Sequence, residues 1–81
     1  MKIKILAFGI AKDILQTQSL DLVLDSGVTT VNALKEMLKQ QYPEFQKLRS
    51  LSIAVNEEYQ SDDFELNEND EIVIIPPVSG G

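Results

Sequence analysis

The sequence predicts an α+β fold: a mixed sheet with one main helix packed on one face and a flexible C-terminal Gly-Gly tail. Three observations carry that prediction. One segment, Thr29 to Tyr42, combines helical apolar spacing with a start signal and a stop signal. Five other segments read as strands, two before the helix and three after it. The last of them, Glu71 to Ile75, is apolar on both faces, with Ile72 and Ile74 on one and Val73 and Ile75 on the other, as befits a strand central in its sheet.

In chain order, Lys2 to Phe8 alternates as a strand, with Ile3, Ile5 and Ala7 on the core side and Lys2, Lys4, Leu6 and Phe8 on the other. Gly9 breaks the alternation, and Ile10 to Leu15 is a short ambiguous piece with room for one helical turn. Ser19 to Leu24 is a second strand of imperfect alternation, bracketed on the solvent side by Asp21 and Asp25, and Asp25-Ser26-Gly27 is a turn cluster. About ten residues separate these strands, which favours antiparallel pairing. Thr29 and Thr30 are both candidate caps for a helix from Val31 to about Gln41, whose stripe is Val31, Leu34, Leu38 and either Gln41 or Tyr42. Pro43 ends it by disfavouring the helical conformation at Tyr42, and Phe45 and Leu48 fold back on the core. Leu51 to Val55 is the third strand, Asn56-Glu57-Glu58 a turn with asparagine at a left-handed position, and Glu58 to Gln60 a short return strand. Phe64 and Leu66 re-enter the core, and Leu66 to Asp70 is a turn feeding the final strand.

Placing the two terminal strands side by side makes them parallel, with the helix crossing one face. That is a β-grasp, or ubiquitin-like, arrangement over residues 1–77, followed by a tail of residues 78–81. One helix covers one face of a sheet. The other face is left with Leu6, Phe8, Val73 and Ile75, joined by Tyr59, and an exposed apolar patch of that kind marks an interface.

Composition narrows the chemistry. The chain has no Cys and no His, which removes thiolate and imidazole nucleophiles, metal sites built on them, and disulfides. An 81-residue chain has little room for a catalytic pocket, so the protein is expected to act with a partner. No apolar run reaches the roughly 20 residues that span a membrane, and the N-terminus alternates like a strand rather than a signal peptide, so a cytoplasmic location is expected. A net charge of −6 argues against nucleic acid, whose binding needs phosphate neutralisation. All seven basic residues lie within residues 2–49 beside five acids, while the eight acids from Ser50 onward have no base among them. This acidic segment has two readings: a solvated face, or a surface that steers the tail towards a basic partner.

The final stretch, Pro76-Pro77-Val78-Ser79-Gly80-Gly81, follows the last strand without a linker. The prolines stop the strand and send the chain on in an extended direction, and the bare glycines fit a narrow channel. The four residues after Pro77 reach roughly 13 Å. Read alone, the stretch is either a frayed end or a carboxylate delivered into a partner's active site.

Set together, strand-like Lys2 to Phe8, the helix TTVNALKEML (Thr29 to Leu38), AVNEE (Ala54 to Glu58), NENDEI (Asn67 to Ile72) and the terminal PPVSGG (Pro76 to Gly81) resemble the small-subunit family of molybdopterin synthase, a group of ubiquitin-like sulfur carriers. The similarity runs over essentially the whole chain. A Gly-Gly end is weak evidence by itself; PPVSGG after an acidic turn and an apolar strand is specific. The resemblance implies that an E1-like enzyme uses ATP to adenylate the carboxylate of Gly81, that a sulfur donor enzyme converts it to a thiocarboxylate, and that the tail then enters the large synthase subunit and sulfurates cyclic pyranopterin monophosphate. It implies a heterotetramer of two small and two large subunits. It implies no bound cofactor and no metal, the adenylate and thiocarboxylate being covalent states of the chain. By the same carry-over Gly81 bears the sulfur, Gly80, Ser79, Val78, Pro77 and Pro76 thread the channel, and Phe8, Tyr59 and Ile75, with Leu6 and Val73 beside them, meet the partner. A sulfur carrier for thiamine synthesis, or a protein modifier of the same fold, would use Gly81 identically. A non-catalytic interaction module would not use it at all.

Overall fold

The computed structural model describes residues 1–48 and 50–76. Its elements are β1 (Lys2–Ala7), α1 (Gly9–Leu15), β2 (Ser19–Val23), α2 (Val31–Gln41), a 3-10 turn (Pro43–Lys47), β3 (Ser52–Val55), β4 (Glu58–Gln60) and β5 (Glu71–Ile75). The strands form one sheet in the order β2-β1-β5-β3-β4. β1 and β5 pair in parallel, with Ile5 opposite Ile72 and Leu6 opposite Val73; every other pairing is antiparallel. The strand apolar on both faces is thus the central one.

Alternation along each strand sends Ile3, Ile5, Ala7, Ile53, Val55, Ile72 and Ile74 to one face, where all are buried. Onto them α2 lays Val31, Leu34 and Leu38. Its start is fixed by Thr30, whose Oγ1 accepts from the Ala33 N–H at 3.2 Å, one of the donors a helix leaves unpaired. After Pro43 the chain winds into the 3-10 turn and buries Phe45 edge-on to Tyr42, with ring centroids 6.2 Å apart. Of the two residues that could close the helical stripe, Tyr42 packs against the core and Gln41 is exposed.

Four elements differ from the sequence reading, two of them only in that β1 stops at Ala7 rather than Phe8 and β3 starts at Ser52 rather than Leu51. Residues 10–15 belong to a full two-turn helix rather than a single turn. Gly9, at φ +56°, swings the chain out of β1, so that Ala11 and Leu15, one helical turn apart, reach the same core. β2 also ends one residue early: Val23 stays on the outward face, 75% exposed, and Leu24 turns into the core.

Candidate docking face and tail root

The residues left on the outward face of the sheet fall into rows fixed by the strand register. One row crosses all five strands: Ser19 on β2, Leu6 on β1, Val73 on β5, Ala54 on β3 and Tyr59 on β4. Ile75 stands opposite Ser52 one step further along, towards the end of β5 where Pro76 leaves the sheet. Phe8 follows β1 at the same end of the face, since β1 and β5 run in parallel. Leu6, Val73, Ile75 and Pro76 are half-buried, whereas Phe8 is 49% and Tyr59 71% exposed. Ala54 is only 6% exposed because it lies between Val73 and Tyr59. The register therefore puts Leu6, Val73, Ile75 and Tyr59 on this face as expected, with Phe8 just past the end of β1, and Ala54, hidden in the sequence by an apolar run, joins them. One step further from the tail root, the next row is charged: Lys4 faces Asp21 on one side and Glu71 on the other. The outward face is thus apolar at the tail end and charged beyond it. Pro77, Val78, Ser79, Gly80 and Gly81 lie outside the described residues.

The acidic segment is not uniformly solvated. Glu57, Glu58, Asp62, Asp63, Glu65 and Glu68 are exposed, but Asp70 is 7% exposed and has polar partners. Its Oδ1 accepts from Asn56 Nδ2 at 2.9 Å and its Oδ2 from the Asn67 N–H at 2.7 Å. Glu68 Oε2 accepts from the Lys2 N–H at 2.9 Å. These acids hold the turn that leads into β5, a role indistinguishable in sequence from plain surface charge. The ion pairs found among the described residues both involve α2, Lys35 with Asp62 at 2.6 Å and Lys39 with Glu36 at 3.5 Å.

Among the described residues no group of His, Cys, Asp or Glu is placed to hold a metal ion. A groove of about 410 Å³ between α2 and the 3-10 turn is open and polar, lined by Glu36, Lys39, Gln40, Gln46 and Leu48, and lacks the enclosure of a substrate site. No described helix is long and apolar enough to cross a membrane.

A mixed five-stranded sheet with parallel central strands β1 and β5 and its helices on one face defines a ubiquitin-like β-grasp domain. The chain belongs to the ThiS family, which matches residues 5–81. A relative from Dictyostelium discoideum named molybdopterin synthase sulfur carrier subunit is 45% identical over 83 residues, covering 96% of this chain and 94% of its own. One of the same name from Arabidopsis thaliana is 38% identical over 82 residues, covering 100% and 84%. Among solved structures, a Pyrococcus furiosus chain described as molybdopterin converting factor subunit 1 superposes with a TM-score of 0.83 at 26% identity, covering 96% of this chain and 99% of that one. A chain from the complex of subunits 1 and 2 of the Helicobacter pylori molybdopterin-converting factor superposes at 0.66 with 22% identity and full coverage of both, a likeness of fold.

Proposed function

We propose that this chain is a molybdopterin synthase sulfur carrier subunit that docks on a large subunit through the outward sheet face and donates sulfur from its Gly81 end. The observation that carries the reading is the apolar row Leu6, Val73, Ala54 and Tyr59, flanked by Phe8 and Ile75, at the end of the sheet from which Pro76 leads into the tail. Full-length similarity to carriers of that name supports it, as does the extension of the family match through residue 81.

A carboxylate is a poor acyl donor, and this chain has no thiol or imidazole with which to activate it. An activating enzyme of the E1-like class therefore supplies the chemistry. The Gly81 carboxylate attacks the α-phosphate of ATP, pyrophosphate leaves, and a glycyl adenylate forms. A sulfur donor enzyme delivers the nucleophile that displaces AMP, leaving a thiocarboxylate. In the large subunit that sulfur passes to cyclic pyranopterin monophosphate and the carboxylate returns. The chain's own contribution is binding and delivery. Ordering four tail residues costs on the order of 4–8 kcal/mol at roughly 1–2 per residue. Burial of the apolar row against the partner offsets this, and the two prolines lower it by restricting the free chain.

Incubated with its activating enzyme, ATP and a sulfur source, the chain gains about 16 Da in intact mass, the exchange of one oxygen for sulfur after acyl activation. An unchanged mass with an enzyme shown to be active would refute the carrier role. A thiamine-pathway carrier would show the same gain, so the acceptor is identified by supplying cyclic pyranopterin monophosphate with the large subunit and following molybdopterin formation.

A further inference from the structure

Asp70 is the buried charged side chain of the described residues, and the sulfur chemistry makes no use of it. Its place becomes clear from Asn56. Asn56 and Glu57 form the two-residue turn between β3 and β4, at φ +50° and +75°. Left-handed backbone suits asparagine and is disfavoured for glutamate. The Asn56 N–H still donates to the Glu71 carbonyl at 2.8 Å, continuing the β3–β5 ladder one step beyond the Val55–Ile72 pair. The reciprocal bond is made by the side chain: Asn56 Oδ1 accepts from the Glu71 N–H at 3.0 Å. Asp70 decides that this is possible. Its carboxylate holds the Asn56 Nδ2, so the amide oxygen must face Glu71. The same carboxylate ties down the Asn67 N–H, and the Asp70 carbonyl accepts from Lys4 at 3.0 Å. One side chain thus joins the β3–β4 turn to the start of the strand that carries the tail.

β4 has only three residues and lies at the sheet edge, too short to hold itself in register. Yet it carries Tyr59, the most exposed member of the apolar row. We propose that Asp70 and Asn56 are positioning residues for docking, holding the β3–β4 hairpin against β5 so that Tyr59 stands in line with Ala54, Val73 and Leu6 before a partner arrives. The docking part of this inference rests on the function proposed above.

The test is an exchange of the two groups. Asn56→Asp alone sets two carboxylates at hydrogen-bond distance and breaks the network. Asn56→Asp combined with Asp70→Asn restores it with amide and carboxylate swapped: the carboxylate at position 56 accepts from the Glu71 N–H and from the amide at position 70, whose oxygen takes the Asn67 N–H. Two quantities are read well below the unfolding temperature: amide hydrogen exchange at Tyr59 and Gln60, and affinity for the cognate large subunit. Asn56→Asp is expected to speed exchange and weaken affinity by about tenfold each, and the double variant to recover both to within about threefold. If the single variant does not fold, Asn56→Gly takes its place, because it keeps the turn and lacks the amide. Unchanged exchange in the single variant, failed recovery in the double, or faster exchange with unchanged affinity each overturns the proposal. A wild-type chain that does not bind the large subunit would instead remove the docking reading, and the exchange measurement then decides the hairpin claim alone.

Discussion

Ile72 and Val73 are neighbours on one strand with different tasks. Ile72 points to the helix side, where Ile5 and Val55 flank it in register, and it is fully buried. Val73 points outward between Leu6 and Ala54 and stays half-exposed. The same contrast separates the two faces of the whole sheet. The helix-side face is closed by α2, α1 and Phe45 into one core, while the outward face keeps an apolar row that no other described element covers. Period-2 alternation lets one strand supply stability with one set of residues and present the proposed docking row with the other. In an 81-residue chain, where the core is thin, that division uses both faces of the central strand.

The contrast can be broken by paired substitutions. Ile72→Ala should cost about 3 kcal/mol in denaturant unfolding, the scale of a large-to-small change in a filled core. Val73→Ala should cost about 1 kcal/mol or less, because much of that side chain is already in water, while still weakening the large-subunit complex. Equal costs at the two positions would end the distinction between the faces. Glu57→Gly is the next largest effect and has the opposite sign: relieving a left-handed glutamate should stabilise the fold by about 1 kcal/mol, measured as a rise in Tm. Val23→Thr sharpens the comparison by its smallness. Val23 is outward and exposed but stands opposite Lys2, away from the apolar row. Its replacement should change stability by no more than about 0.5 kcal/mol and leave partner affinity as it was.

Much of this division can be read in the sequence, for identifiable reasons. The helix bounds are set by Thr30 and Pro43, local signals that tertiary context did not override. The doubly apolar β5 announces a central strand, and setting it beside β1 makes the pair parallel. Leu6, Phe8, Val73 and Ile75 fall outward by alternation alone. What escapes is whatever depends on register between distant segments. Ala54 looks like core in an apolar run, and only its pairing with Val73 and Tyr59 puts it on the outward apolar row. Asp70 looks like one more acid in an acidic turn, and only the approach of Asn56 from another hairpin makes it a buried anchor. Residues 10–15 stay ambiguous because a two-turn helix with two core contacts leaves a weak periodic trace.

At Phe8 local structure and the proposed docking ask for different residues. It occupies the cap position of α1 with extended backbone, φ −133° and ψ 161°, and its side chain makes no capping bond. Aspartate is among the residues that suit such a position. The decisive measurement is a titration of the Phe8→Asp chain against the large subunit, with its melting curve recorded alongside. An unchanged or higher Tm is expected together with an affinity reduced by about tenfold or more, since a charge would be buried against an apolar partner surface. Undiminished affinity in a folded Phe8→Asp chain would contradict the proposed docking.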